Sequence, residues 1–234
     1  MTIKHGLSMS WHATVFCLVF WVGELAAARP APFEERQMDV VLFDRLQQGG
    51  FVLFLRHGLT DASQPDRVPV DLQHCASQRP LSEAGHQQMM QIGDHLRQTG
   101  WPVGEIYVSP FCRTQDSARA IFGQTGWVID PLLMYTAGMS RAEKAPVIAR
   151  TAELMQQPVP AGENRFIVAH GPNLAETLHY FPPEGTLVIL EPQVDAWVYH
   201  ASIRPEQWPP VLGWASRARA EQQQEQEAEP LSAP

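Results

Sequence analysis

The sequence predicts an α/β fold with a mainly parallel central sheet. The first observation is a pair of apolar runs, Phe51–Leu55 and Phe166–Ala169, which are typical of strands buried on both faces of a parallel sheet. The second is that segments with helical periodicity separate the predicted strands, which favours right-handed crossover connections. A chain of 234 residues, with 44% hydrophobic and 18% charged residues, is long enough to form one domain with a full core.

The first 28 residues have the form of a secretory signal peptide. A basic residue precedes an apolar core at residues 13–22, and Ala26–Ala28 supply the small residues of a cleavage site. This core is too short for a comfortable membrane span, so we expect no stable span after cleavage; the alternative is an uncleaved N-terminal anchor. The Pro-rich residues 29–37 are expected to form a linker before a domain at residues 38–215.

Helices and strands alternate along the predicted domain. Ser82 is a good N-cap for a helix that ends at Gly100, and Ser109 with Pro110 marks the start of another helix. Pro146 is expected to interrupt a third. The predicted helices cover residues 40–48, 82–98, 109–122, 141–156 and 172–180. The predicted strands cover residues 51–55, 105–108, 127–129, 166–169, 186–190 and 196–200.

Two other segments lack helical or strand periodicity. Residues 61–78 form a long loop broken by prolines, and because it follows the first strand we expect it to cover the functional site. Residues 216–234 are rich in Arg, Gln and Glu, which predicts a disordered acidic tail. The formal net charge of −8 argues against non-specific nucleic-acid binding, so we expect no nucleic-acid partner.

Basic and imidazole side chains follow three of the predicted strands. Arg56 and His57 end the first apolar run, His170 ends the later one, and Arg113 lies in the first turn of the helix after residues 105–108. Ligands of open α/β sheets bind at the carboxyl ends of the strands. Two histidines and two arginines at this edge suggest a site for a phosphate dianion, because a guanidinium meets phosphate oxygens bidentately. Taken singly, His57 would rather be a surface histidine at a strand end and Arg113 a cation on a helix face; it is their combination that favours catalysis.

Three blocks in this order resemble a known family. Arg56-His57-Gly58-Leu59-Thr60, Ser109-Pro110-x-x-Arg113 and His170 are similar to the signatures of the histidine phosphatase (phosphoglycerate mutase-like) superfamily. The resemblance runs from about residue 40 to residue 200 and implies a three-layer α/β/α architecture.

The resemblance also implies roles for these residues. His57 would be the nucleophile and form a phosphohistidine, and Arg56, Arg113 and His170 would bind the phosphoryl group and stabilise its transition state. Thr60 would contribute to substrate binding. No metal is required by such a reaction, and the remaining histidines show no spacing typical of metal ligands, so we expect no metal and no other cofactor.

The proton donor for the leaving group is less clearly marked. Many mutase-like members carry a Glu where this chain has Met134 and Tyr135, which argues against a sugar-phosphate mutase. Glu184 is our first choice because its turn can return to the edge of the sheet, and its Glu-Gly resembles one in the periplasmic branch. Asp61 and Glu176 are the alternatives.

The block from Cys75 to Gly85 resembles secreted bacterial members, among them lipopolysaccharide core heptose-phosphate phosphatases. This resemblance implies that Arg79 helps to bind the substrate phosphate or an acidic neighbour; a structural role in capping the loop is the alternative. Asn173 would orient His170 or the substrate, or simply begin a helix. In an oxidising compartment Cys75 and Cys112 suggest one disulfide, and two free buried thiols are the alternative.

These observations favour a secreted or periplasmic phosphomonoesterase that acts through a phosphohistidine. Its partner would be a small phosphorylated substrate, for example a phosphorylated sugar of the cell envelope. A non-catalytic phosphate-binding protein is the second hypothesis, because the Glu expected near Met134 is missing. A phosphomutase is the third.

Overall fold

The computed structural model describes residues 32–228; the predicted signal peptide, residues 1–28, lies outside them. In this part of the chain six strands form one sheet in the order β3-β2-β4-β1-β5-β6. Strands β1 to β4 run parallel to their neighbours within the group, whereas β5 is antiparallel to β1 and to β6. The strands are β1 Val52–Arg56, β2 Val103–Val108, β3 Val128–Ile129, β4 Asn164–Ala169, β5 Leu187–Gln193 and β6 Ala196–Ile203. The predicted α/β class with a mainly parallel sheet is confirmed.

Helices cover both faces of the sheet. They are α1 Val40–Gln47, α2 Glu83–Thr99, α3 Cys112–Phe122, α4 Arg141–Gln156, α5 Gly171–Leu178 and α6 Trp208–Ala228. Alternate residues of β1 enter different cores, because successive side chains of a strand point to opposite faces. Leu53 and Leu55 pack with residues of α1, α2, α3 and α6, whereas Val52 and Phe54 pack with residues of α4 and α5. The result is three layers, with helices on both sides of the sheet.

Helix α3 begins later than the sequence predicted. We expected Ser109 as its N-cap, but the first helical residue is Cys112 and the cap position is held by Phe111. The Ser109 hydroxyl lies 2.8 Å from Nε2 of His170, so a tertiary contact takes the side chain that local propensity assigned to a cap. The prediction of Ser109 as the N-cap is therefore wrong, because its hydroxyl contacts His170 instead.

Helix α4 continues through Pro146, which we expected to interrupt it. The helix begins at Arg141 because Ser140 and Glu143 form a reciprocal capping box. Pro146 lies in the second turn, where it removes one backbone donor without ending the helix.

The predicted linker packs against the domain from residue 33 onward. The Phe33 ring stacks on Tyr180 with their centroids 4.2 Å apart, and Glu35 accepts two hydrogen bonds from Arg204 and one from the Tyr180 hydroxyl. The linker prediction is wrong for this segment. Phe33 and Glu35 bind partners far along the chain, and a Pro-rich composition gives no sign of such long-range contacts.

Helix α6 extends to Ala228, so the prediction of disorder is wrong for residues 216–228. Its first turns are anchored in the core by Trp208, Val211 and Ala215, and each further residue then adds one backbone hydrogen bond. The residues that follow are mostly Ala, Arg, Glu and Gln, which are strong helix formers. Residues 229–234 lie outside the described part. Within residues 32–228, no helix combines the length and apolar character needed to cross a membrane.

Candidate active site

The parallel strands β1, β2 and β4 bring the predicted residues together at their carboxyl ends. Arg56 is the last residue of β1 and stands beside Ala169 of β4 in the register. The backbone N–H of His57 donates to Ala169 O at 3.1 Å, and that of Ser109 donates to Val168 O at 2.9 Å. The two histidine rings meet edge to face with their centroids 5.3 Å apart.

His57 is held with one ring nitrogen free to act as a nucleophile. Its side chain is 1% exposed, and Nδ1 lies 2.9 Å from the carbonyl oxygen of Gly58. A carbonyl only accepts, so Nδ1 carries the proton and Nε2 keeps its lone pair. Burial, followed by the charge of Arg113, lowers the pKa of His57 well below its usual range. The imidazole is therefore neutral at physiological pH, which is the form that attacks phosphorus.

His170 lies between β4 and α5 and is fully buried. Its Nε2 is 2.8 Å from Ser109 Oγ, and its Nδ1 has no hydrogen-bond partner among the described residues. The Ser109 oxygen is also 3.4 Å from the Phe111 N–H, which it can accept while donating its own proton to Nε2. This arrangement favours a proton on Nδ1. Burial first, and then the charge of Arg113, lower the pKa of His170 well below its usual range.

Two arginines of the site rest on aromatic rings. The Arg113 guanidinium has no exposed surface and lies 4.5 Å from the Phe111 ring centroid and 5.1 Å from that of Tyr135. The Arg56 guanidinium lies 4.6 Å from the centroid of Phe181. Burial lowers the pKa of both arginines, but a guanidinium stays charged in proteins. Aromatic faces stabilise a desolvated cation without using its N–H donors.

Arg79 lies close to the same group. Besides burial, its charge contributes to lowering the pKa of Arg56, Arg113, His57 and His170. Buried N–H donors without a partner among the described residues then come from all three arginines and from His170. They are Arg56 Nε, Arg79 Nε, Arg113 Nε, Arg113 Nη2 and His170 Nδ1. Buried donors are normally paired, so a cluster of this kind fits an anion with many acceptor oxygens.

Glu184 is brought to this cluster by a tight turn. Gly185 adopts φ +81°, which favours glycine, and its N–H donates to His57 O at 2.9 Å. Glu184 Oε1 accepts from Thr60 Oγ1 at 2.8 Å and lies 3.5 Å from Arg56 Nη2 and 3.9 Å from His57 Nδ1. The structure thus places the first-choice carboxylate beside both predicted motif residues.

The two alternative carboxylates lie elsewhere. Asp61 is half-exposed, and among the described residues its carboxylate accepts hydrogen bonds from Ser63 and Gln64 of its own loop. Glu176 pairs with Lys144 at 2.6 Å on the outer helices. Neither contacts the histidines or arginines of the cluster.

Two predicted substrate-binding residues contact protein groups instead. Thr60 donates through both its N–H and its hydroxyl to Glu184, so it orients that carboxylate. Asn173 is 1% exposed; its Oδ1 accepts the His170 N–H, and its Nδ2 lies 3.2 Å from Met134 O. These contacts match a role for Asn173 in orienting His170; its predicted contact with the substrate stays a prediction.

Cys75 and Cys112 form a disulfide, the first of the two alternatives that the sequence left open. The bond joins the long loop to the start of α3, next to Arg113.

Sequence reasoning missed two residues of the site. Asp66 accepts hydrogen bonds from Arg113 Nη1 at 2.9 Å and from the Arg79 backbone N–H at 2.8 Å. Tyr135, noted only as a departure from the mutase pattern, packs against His170 with ring centroids 5.3 Å apart. No spacing marks Asp66 among the carboxylates of its loop. An aromatic residue shortly after Asp130-Pro131 was the only available signal for Tyr135.

Comparisons with known proteins find a family match and similar solved structures. Residues 52–134 match the model of the histidine phosphatase superfamily (branch 1). This part of the chain is therefore similar to the histidine phosphatase superfamily. The matched segment includes Arg56, His57 and Arg113 but ends before His170 and Glu184, which join the site through the fold. A comparison of the sequence with curated proteins finds no match.

Solved structures of two phosphatases and one mutase are similar to the chain in fold. A phosphoserine phosphatase mutant from Entamoeba histolytica is 13% identical with a TM-score of 0.48, covering 67% of this chain and 98% of its own. A mycobacterial glucosyl-3-phosphoglycerate phosphatase is 19% identical with a TM-score of 0.46, covering 65% and 98%. A phosphoglycerate mutase from Plasmodium falciparum is 17% identical with a TM-score of 0.41, covering 64% and 87%.

Within residues 32–228, no three His, Cys, Asp or Glu side chains are grouped in a way that could hold a metal ion. The predicted residues instead form a cationic cluster around two neutral imidazoles.

Proposed function

We propose that this protein is a phosphomonoesterase that transfers the phosphoryl group of its substrate to His57 and then to water. The observation that carries this proposal is the state of His57. Its Nδ1 is fixed on Gly58 O, burial lowers its pKa, and the charges of three nearby guanidinium groups lower that pKa further. A neutral imidazole beside a cationic cluster is suited to attack a phosphate dianion.

The first half of the reaction forms one bond and breaks one. His57 Nε2 attacks phosphorus, an N–P bond forms, and the ester P–O bond breaks. Arg56, Arg113 and Nδ1–H of His170 donate to the non-bridging oxygens, where charge must be stabilised in the transition state. Glu184 in its protonated form gives its proton to the oxygen of the leaving alcohol.

The second half reverses these roles. Glu184, now a carboxylate, takes a proton from water, and the water oxygen attacks phosphorus. The N–P bond breaks, its electron pair returns to Nε2, and inorganic phosphate leaves. His57 and Glu184 end in the forms in which they began, so the cycle needs no other reactant.

A phosphate-binding protein without catalysis is the second candidate. It was motivated by the absence of a Glu at Met134 and Tyr135. The position of Glu184, 3.5 Å from Arg56, supplies a carboxylate from another element and favours the enzyme. A mutase ranks third because the residues near Met134 depart from the mutase pattern.

We also propose that the protein works in the periplasm or outside the cell. The Cys75–Cys112 bond supports an oxidising compartment, where such bonds persist. The signal-like N-terminal segment supports the same location. The resemblance of the Cys75–Gly85 block suggests a phosphorylated sugar of the cell envelope as substrate, which a panel of sugar phosphates would test.

The activity is tested by phosphate release from an aryl phosphate in the presence of EDTA. An aryl leaving group needs little protonation, so turnover depends mainly on His57 and the cationic cluster. We expect EDTA-resistant release by the wild type and loss of at least about 10³-fold in His57→Ala. His86→Ala, at an exposed position on α2, is the matched control and should match the wild type. Release that persists in His57→Ala would refute the nucleophile.

A further inference from the structure

The long loop of residues 61–79 places a carboxylate directly against the buried arginine of the site. Asp66 Oδ1 lies 2.9 Å and Oδ2 3.3 Å from Arg113 Nη1. The Arg113 side chain has no exposed surface, and that of Asp66 is 16% exposed. A buried guanidinium with a single carboxylate partner is held in one rotamer, because leaving it unpaired would cost several kcal/mol.

The contact uses only one of the three guanidinium nitrogens. Arg113 Nε and Nη2 are buried and have no partner among the described residues. These two nitrogens form the edge of the guanidinium that can donate two parallel hydrogen bonds to a phosphate. Asp66 therefore leaves free the edge that is suited to bidentate recognition, while holding the nitrogen on the other side.

Asp66 is itself fixed on the same elements. Its Oδ1 accepts the backbone N–H of Arg79 at 2.8 Å, so one carboxylate connects two arginines of the site. The disulfide between Cys75 and Cys112 attaches the loop to the residue that precedes Arg113. Gln78 Oε1 adds a hydrogen bond from the Cys112 N–H at 2.9 Å. Both contacts attach the loop that carries Asp66 to the start of α3, next to Arg113.

We infer that Asp66 is a positioning residue that orients Arg113, and with it Arg79, toward the phosphoryl group. This inference rests on the proposed function and adds to it a residue that acts through Arg113. The rival interpretation is that the carboxylate competes with the substrate for Arg113. The two predict opposite effects when Asp66 is removed, because an orienting group supports catalysis and a competitor opposes it.

A double-mutant cycle tests whether Asp66 acts through Arg113. We expect Asp66→Ala to lower kcat/KM for an aryl phosphate about 10- to 100-fold, the usual effect of a small misplacement of a catalytic group. In the Arg113→Ala background the same change should lower kcat/KM by less than about threefold, because the group that Asp66 orients is gone. Additive losses, or a rise in kcat/KM, would overturn the inference. Asp71→Ala, whose carboxylate contacts only Gln73 and His74, is the matched control in the same loop.

The conservative variant separates geometry from charge. Asp66→Asn keeps an acceptor oxygen for Arg113 Nη1 and the Arg79 N–H but removes the negative charge. We expect it to retain kcat within about threefold of the wild type, because the orientation is kept. A loss as large as that of Asp66→Ala would contradict a positioning role. Thermal unfolding of each variant shows that the comparison is made between folded proteins.

The failure of the proposed function would be seen separately. If the wild type releases no phosphate from an ester, binding of inorganic phosphate is measured by calorimetric titration instead. The four proteins of the cycle are compared: the wild type, Asp66→Ala, Arg113→Ala and the double variant. Strong coupling between Asp66 and Arg113 in the Kd would then support the positioning role in a binding protein. Additive effects would overturn it, and a wild type that binds no phosphate would overturn both proposals.

Discussion

Lowering the pH below about 6.5 is expected to destabilise the protein through the two buried histidines of the site. In the folded state burial and the charge of Arg113 lower the pKa of His57 and of His170. In the unfolded chain both return to the ordinary value near 6.5. The unfolded state therefore binds protons that the folded state does not, and acid favours unfolding. The stabilising contribution is present above that pH and is lost as the pH falls toward the folded-state values.

The size of the effect follows from the linkage relation. Between pH 7.5 and pH 5.5, each histidine that stays neutral in the folded state and titrates in the unfolded state costs about 1.4 kcal/mol. The two histidines together cost about 3 kcal/mol, a large part of the 5–15 kcal/mol that is typical of a domain.

Urea unfolding followed by tryptophan fluorescence measures this directly. The free energy of unfolding is compared at pH 7.5 and pH 5.5, in buffer without phosphate, for the wild type and for His57→Asn/His170→Asn. The double variant should lose about 3 kcal/mol of the pH dependence, whereas His86→Asn should keep all of it. A double variant with the same pH dependence as the wild type would refute the assignment of both imidazoles as neutral and buried.

Three further predictions concern the surroundings of the histidines. Replacing Cys75 and Cys112 by serine should lower the free energy of unfolding by about 4 kcal/mol, because the bond closes a loop with a sequence separation of 37; unchanged urea unfolding would contradict this. Glu184→Gln should slow hydrolysis of an alkyl phosphate by about 10²-fold or more. Hydrolysis of an activated aryl phosphate should slow much less, because an aryl leaving group needs little protonation. Equal losses for the two substrates would exclude an acid role. Ser109→Ala should lower kcat about tenfold and release the His170 ring from a single tautomer, as measured by nitrogen-15 NMR; an unchanged tautomer would contradict the proposed hydrogen bond.

The fold could be predicted because its signals are local. A parallel strand buried on both faces gives a continuous apolar run, and β1 and β4 show such runs. Gly100 after α2 and Ser82 before it are caps that use only neighbouring backbone groups. One prediction that failed involves competition with a distant group. Ser109 was assigned to a cap and instead contacts His170.

The site was predictable to the extent that it lies at strand ends. His57, Arg113 and His170 follow three parallel strands, so the topology alone brings them together. The contact of Asp66 with Arg113 could not be predicted. It depends on the path of a loop without periodicity and on a disulfide between cysteines that are 37 residues apart in the sequence. Glu184 was chosen because its turn can return to this edge of the sheet and because its Glu-Gly resembles one in the periplasmic branch; the turn at Gly185 does bring it to His57.

The most direct test of the central claim is to locate the phosphoryl group during turnover. The protein is quenched in alkali while it hydrolyses an aryl phosphate, and its peptides are analysed by mass spectrometry. The proposed mechanism predicts one acid-labile phosphoryl group on His57, absent from His57→Ala. Turnover without any phosphorylated intermediate, or with the group on another residue, would contradict it.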